Sequence, residues 1–365
     1  MPAAAMTTPN APIQYTEYGI PIRNLWHMLL YAWNEYPVNR HWTLAEVENA
    51  PTLDALLATI LAKLMEQRLR IGLGRSYSNE TQTIRGIRGR VDFTTSLKQR
   101  TFEQGQASCH FQHYSANVPK NQIIRSMLVR LAQIGDFGQQ RALANELRHH
   151  LRWLARTLDG IDLIALNLDF IHRQQVARHD SDYRLMLAIC ELILQRQMPT
   201  ETTGQHFLPG LDRQALVLYN IYERFVANFY RLRLQGYTVQ AQSRLFWPVR
   251  QENTSLPVMK PDLIIQSPSA LFVLDTKFTA KSLVENQWGK QLFDSSHLYQ
   301  MYAYLTTQRE RSAQHQKAVG ILLYPTINEK RSERIELADQ TIRIETLDLF
   351  AAWQEIEESL LRMIV

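Results

Sequence analysis

Two short runs carry the residues with chemical potential: Lys260-Pro261-Asp262-Leu263-Ile264-Ile265 and Leu271-Phe272-Val273-Leu274-Asp275-Thr276-Lys277. Each is rich in branched and apolar residues and bounded by turn formers, the pattern of a largely buried strand. Gln266-Ser267-Pro268-Ser269-Ala270 separates them. With Pro268 at the second position of a four-residue turn, the hairpin folds about the Pro268–Ser269 bond and residue 262 falls opposite residue 275. Directly opposed residues have Cβ atoms roughly 4.5–5.5 Å apart, so two carboxylates there repel unless something neutralises them. A divalent cation would do so. Alternation along a strand puts Asp275 and Lys277 on one face and turns Thr276 to the other. Hard oxygen donors of this kind suit Mg2+, which keeps several waters and leaves room for a phosphate oxygen. The metal acidifies a water and polarises phosphorus, while the Lys277 ammonium positions the water or offsets charge building on the phosphate. That is the machinery of phosphodiester hydrolysis. A plainer reading makes Asp262 and Lys277 strand-end residues and pairs Asp275 with Lys277 as a simple salt bridge. Against it stands a downstream pair, Gln300 and Tyr304, four apart on an expected helix and so on one face, where an amide and a phenol support the same site.

The elements that must position these residues can be read in order. A long helix over 211–235, with Leu218, Tyr222, Phe225, Phe229 and Leu232 on one face, precedes a strand over 237–247 and the two motif strands. A helix over 295–307, a buried strand over 317–325, short strands near 334–337 and 341–345, and a closing helix over 349–363 follow. Upstream, residues 197–210 concentrate Pro199, Gly204, Pro209 and Gly210, which marks a domain boundary. The expected organisation is a tail over 1–14, a mixed α/β N-terminal domain over 15–205 and a C-terminal domain over 206–365. The overall class is α/β, α+β in layout, with a mixed sheet flanked by helices in the second domain. In the first domain, helices are expected over 20–33, where Asn24 is placed to cap the first turn, and over 52–70. Alternation over 76–93 includes Arg85-Gly86-Ile87-Arg88-Gly89-Arg90, a basic hairpin that is either a solvated face or a contact for DNA or a protein partner. A strand over 108–114 and helices over 122–134, 141–158 and 181–197 complete it.

Composition sets outer limits. A chain of 365 residues can bury two substantial cores. A net charge of +5 and an isoelectric point near 9.1 permit nucleic-acid contact without specifying it. The two cysteines, Cys109 and Cys190, form no CxxC pair, so a disulfide framework is not expected and a reducing cytoplasm is the natural setting. Cys109-His110-Phe111-Gln112-His113 lacks the second cysteine pair of a zinc site and alternates like a strand. The Ala, Thr and Pro-rich start has neither the basic beginning nor the apolar core of a signal peptide, and no apolar run approaches the roughly 20 residues of a membrane span. No G-x-x-x-x-G-K-[ST] loop occurs, so the chain is not itself a P-loop nucleotidase.

The order of elements with Pro261-Asp262, Asp275-x-Lys277 and Gln300-x-x-x-Tyr304 resembles the PD-(D/E)xK nuclease superfamily in its RecB-like branch. The segment 20–33, the Arg85 to Phe93 run and the helix start at 121–128 narrow the resemblance to the McrC family, the endonuclease subunits of McrBC restriction systems. The resemblance covers nearly all of the chain after the first dozen residues. It implies that Asp262 and Asp275 hold Mg2+, with a backbone carbonyl near Thr276 as third ligand, and that Lys277 is the catalytic lysine. It also implies a hexameric AAA+ GTPase partner of the McrB kind, stimulated through the N-terminal half, with Arg88 and Arg90 as candidate contacts, and double-stranded DNA with modified cytosine as substrate. Glu223 stands where some superfamily members place another acidic residue; a solvated helix glutamate is the other reading. The alternative function is that of an activator or adaptor of an AAA+ ring whose nuclease centre is vestigial, and the five intact residues weigh against it.

Overall fold

The structure is a computed structural model in which residues 19–34, 50–176, 180–197, 213–248, 255–278, 284–285, 291–292, 294–327 and 330–365 are described. The expected 1–14 tail and most of the 197–210 breaker segment lie outside these residues. Two compact units divide the chain: Asp54–Pro199 forms one, and Met1–Leu53 with Thr200–Val365 forms the other.

In the Asp54–Pro199 unit, β1 (Ser76–Arg85) and β2 (Arg90–Val91) flank β3 (Gln106–Ser115) in an antiparallel sheet ordered β1-β3-β2. The chain passes from β1 to β2 through Gly86 and Gly89, both at positive φ. At Gly89 a Cβ would stand 2.4 Å from the His110 carbonyl oxygen, so the close approach of backbone to backbone requires glycine. Helices Leu53–Ile71, Pro119–Ile134, Arg141–Thr157 and Ser181–Gln197 supply the apolar core of this unit. One polar knot lies within it. Tyr183 takes the Gly74 N–H at 2.8 Å and donates to Asn121 Oδ1 at 2.5 Å, with Arg68 and Lys120 over its ring.

The other unit contains β4 (Thr238–Ala241), β5 (Leu263–Gln266), β6 (Leu271–Thr276), a two-stranded antiparallel pair of β7 (Val284–Glu285) and β8 (Gln291–Leu292), then β9 (Val319–Thr326), β10 (Ser332–Leu337) and β11 (Gln340–Asp348). Six of these strands form one mixed sheet in the order β10-β11-β9-β6-β5-β4. β6 and β9 run parallel, as do β9 and β11, and the remaining neighbours are antiparallel. The helix Ser295–Gln308 is the crossover between β6 and β9, the usual way to join parallel strands. It sits close because Gly320 on β9 leaves room for Met301, whose Cγ would be 2.6 Å from a Cβ there. Leu271, Val273, Leu322, Ile342 and Ile344 of the sheet pack with Met301, Tyr304 and Leu305 of that helix in one core. The strand expected over 237–247 is shorter, ending at Ala241, with an isolated bridge between Leu245 and Met259 beyond it.

Residues 15–53 are expected from sequence in the N-terminal domain, yet their described helix, Ile22–Ala32, packs in the unit that holds Asp262 and Asp275. The expectation that Asn24 caps the first turn fails because the helix starts earlier, with Pro21 at the N-cap position and Asn24 inside the first turn. It is fully buried and donates to the Leu349 and Ala351 carbonyls at 2.8 and 2.9 Å. Tyr31 donates to Glu357 Oε1 at 2.7 Å and lies 5.4 Å from the Phe229 ring of the Arg213–Arg233 helix. Asn228 of that helix closes the far end, donating to the Tyr31 carbonyl at 2.9 Å. These bonds join residues about two or three hundred positions apart, which local spacing cannot reveal.

Candidate active site

The motif hairpin turns where the sequence places it. Ser267 donates its N–H to Ala270 O at 2.9 Å around Pro268 and Ser269. Leu263 pairs with Leu274 and Gln266 with Leu271, a register that sets Asp262 across from Asp275 when carried one residue further. Both carboxylates are buried, at 6% and 3% exposure. Buried carboxylates need partners or a proton.

Asp275 is ion-paired with Lys277, as in the plainer reading, but the pair is part of a longer relay. Lys277 Nζ also donates to Gln300 Oε1 at 2.6 Å, Gln300 Nε2 donates to the Tyr304 hydroxyl at 2.7 Å, and that hydroxyl donates to the Lys260 carbonyl at 3.2 Å. Each group is fixed by the next. The helix Ser295–Gln308 presents Gln300 and Tyr304 on one face, and its packing on the sheet aims that face at Lys277.

Asp262 is held differently. It lies just before the regular ladder, so its carboxylate is free of the pleat and turns to Thr276, whose N–H and hydroxyl both donate to Oδ2, at 2.7 and 2.6 Å. Thr276, expected to face away, therefore takes part in the site. The other oxygen, Oδ1, is 3.3 Å from Gln242 Nε2, which also hydrogen-bonds to Glu223 Oε1. Glu223 thus faces the site from the Arg213–Arg233 helix, with Tyr219 one turn earlier. Burial, reinforced by the Asp275 and Glu223 charges and opposed by the two Thr276 donors, pushes the Asp262 carboxyl up to about 8. Burial also raises Glu223, with the Gln242 bond opposing and the Asp275 charge adding. The phenols of Tyr219 and Tyr304 are raised by burial and then by the same carboxylates. Beyond Lys277, His297 bonds to the Tyr324 hydroxyl at 2.9 Å and is lowered by burial and by the Lys277 charge. The upward shifts of Asp262 and Glu223 mark a centre where gathering full negative charge is unfavourable without a further cation.

This cost of charge bears on the expected metal. Among the described residues no three His, Cys, Asp or Glu side chains are gathered as a metal-holding group. The set on offer is two opposed, buried carboxylates, and magnesium is ordinarily bound through one or two carboxylates with waters completing its shell. The donor chemistry fits such an ion.

A family model described as McrBC 5-methylcytosine restriction system component matches residues 13–325. The chain belongs to that family. It is 26% identical over 346 residues to the type IV methyl-directed restriction enzyme EcoKMcrBC of Escherichia coli (strain K12), covering 94% of this chain and 96% of the relative. Among solved structures, the refined half-complex from the tetradecameric assembly of Thermococcus gammatolerans McrB AAA+ hexamers with bound McrC matches 94% of this chain and 76% of that chain. The TM-score is 0.55 at 17% identity, a likeness of fold.

Asp262, Asp275, Lys277, Gln300 and Tyr304 therefore come together in this family member as the sequence anticipates. Arg88 and Arg90 belong to the other unit, exposed beside β3. The Arg88 guanidinium lies 4.3 Å from the Phe111 ring centroid and Arg90 pairs with His110 across the ladder. Tyr219, Gln242 and the Thr276 side chain escape a sequence reading, whereas Glu223 is already a candidate from sequence. Tyr219 and Glu223 share the four-residue spacing of Gln300 and Tyr304, a signal that was present. Gln242 and the Thr276 hydroxyl have no comparable signal, because their roles depend on how the strand ends bend.

Proposed function

We propose that the chain is the Mg2+-dependent endonuclease subunit of a GTP-driven McrBC-type restriction system that cleaves DNA containing modified cytosine. In this reading the unit carrying β4 to β11 is a PD-(D/E)xK nuclease domain, and the chain works in the cytoplasm with a hexameric AAA+ GTPase ring whose turnover it stimulates. Family membership supports the system, and the EcoKMcrBC relative is by name methyl-directed. The observation that carries the nuclease assignment is the buried Asp262 and Asp275 pair, brought face to face with Lys277 by the hairpin register.

Asp262 and Asp275 would hold the ion. Bound there, magnesium supplies the positive charge that polarises a phosphodiester and acidifies water. Thr276 keeps Asp262 turned inward through two donors to one oxygen. Lys277 is ion-paired with Asp275 and aimed by Gln300, which places its ammonium to offset charge that grows on the phosphate oxygens. Tyr304 and the Lys260 carbonyl keep the Gln300 amide from rotating. Preorganisation of this kind favours a fully equipped centre over a vestigial one.

The test is reconstitution with a McrB-type ring, GTP and Mg2+ on duplexes with and without 5-methylcytosine. Cleavage restricted to the modified duplex is expected. Equal cleavage of both duplexes, or none with a ring that hydrolyses GTP in the chain's presence, would overturn the assignment.

A further inference from the structure

We propose that Gln242 is a positioning residue of the metal centre, whose side-chain amide bridges Glu223 and Asp262 and so fixes the orientation of the Asp262 carboxylate with Glu223 held behind it. This rests on the metal-centre reading above. Gln242 follows the last residue of β4 and continues its ladder, the backbone N–H donating to the Asp262 carbonyl at 2.9 Å. Its φ is +54°, left-handed backbone that favours glycine and is uncommon for a residue of this size. Strain of this kind persists where the surroundings impose it and clusters at functional sites. Here the side chain justifies it: Nε2 reaches Asp262 Oδ1 at 3.3 Å and Glu223 Oε1 as well.

The choice of residue is informative. Two carboxylates in one desolvated pocket repel, and Glu223 is the less confined of the two, half-buried on a helix with solvent beside it. A lysine or arginine at 242 would hold both by neutralising them, and would then compete with a divalent ion for the same oxygens. An amide holds both without adding charge. It bridges the carboxylates and leaves the negative field intact for a cation.

Two variants separate this role from a structural one. Gln242→Gly removes the amide and also relieves the left-handed backbone, so the full-length chain should melt at or above the wild-type temperature in the absence of metal. Its affinity for Mn2+, read by titration calorimetry, should nevertheless fall about tenfold or more, within the range typical of lost partners around a metal site. In a Glu223→Gln background the same change should cost nothing further, since the two residues act as one unit. Gln242→Ala, which keeps the strain, should lose the same affinity. Wild-type affinity in Gln242→Gly, or an undiminished loss in the Glu223→Gln background, overturns the inference alone. Absence of Mn2+ binding by the wild-type chain, or binding that Asp275→Ala leaves unchanged, overturns the metal centre and this inference with it.

Discussion

Lys277 is the residue on which the two halves of the site depend, because it is the cation paired with Asp275 and also the donor that meets Gln300. Lys277→Ala should bring cleavage close to background while divalent binding, read by calorimetry, is retained, since the ammonium supplies charge and orientation rather than ligation. Gln300→Ala and Tyr304→Phe should reduce cleavage less, by about 10–100-fold, as partners that orient a metal site from one step away. A Lys277→Ala protein that cuts at the normal rate would remove the lysine from the chemistry. These residues were legible because strand alternation and turn geometry convert sequence spacing directly into proximity. The 262–275 pairing followed from the position of Pro268 alone. Gln242 and Thr276 were not legible, since a positive φ at one strand end and a carboxylate outside the ladder at another are set by tertiary packing.

At the level of elements, the helix Ile22–Ala32 was visible from its apolar spacing while its location was not, because the bonds that place it span most of the chain. Asn24→Ala should lower stability by about 1–3 kcal/mol, the cost of leaving buried polar groups unpaired, as it strips two carbonyls of their donor. A melting temperature equal to wild type would show those carbonyls find water instead. The neighbouring His27 gives this region a pH dependence. Stacked on Trp353 with ring centroids 4.7 Å apart, it is lowered from 6.5 to about 4 by burial, with Glu357 opposing and Arg23 adding. Its folded value lies below its unfolded one, so the unfolded chain binds more protons between the two. Stability present above pH 6.5 is then lost as pH falls toward 4. Melting curves across that window should show a shallower decline for His27→Gln than for wild type, and parallel declines would rule out His27 as the cause. The sheet itself was largely legible as far as β9. The pairing of β11 in parallel with β9, and the short β7 and β8 pair, were not, since neither local pattern nor turn chemistry specifies a partner across a crossover.

At the scale of the whole chain, the carboxylate centre belongs to one compact unit and the Arg88 and Arg90 surface to the other. Under the proposed function, such a division would let partner activation and DNA cutting fail separately. Arg88→Glu with Arg90→Glu should reduce stimulation of the AAA+ partner's GTP turnover, or assembly with it, and leave divalent binding unchanged; loss of divalent binding in that variant would contradict the division. The most direct measurement follows both activities in one reaction: cleavage of 5-methylcytosine DNA and GTP turnover by a McrB-type ring with Mg2+, comparing the wild-type chain with Asp275→Ala. Wild type should support both. Asp275→Ala should support GTP turnover at the wild-type rate with no detectable cleavage. Cleavage by Asp275→Ala at the wild-type rate would contradict the account outright.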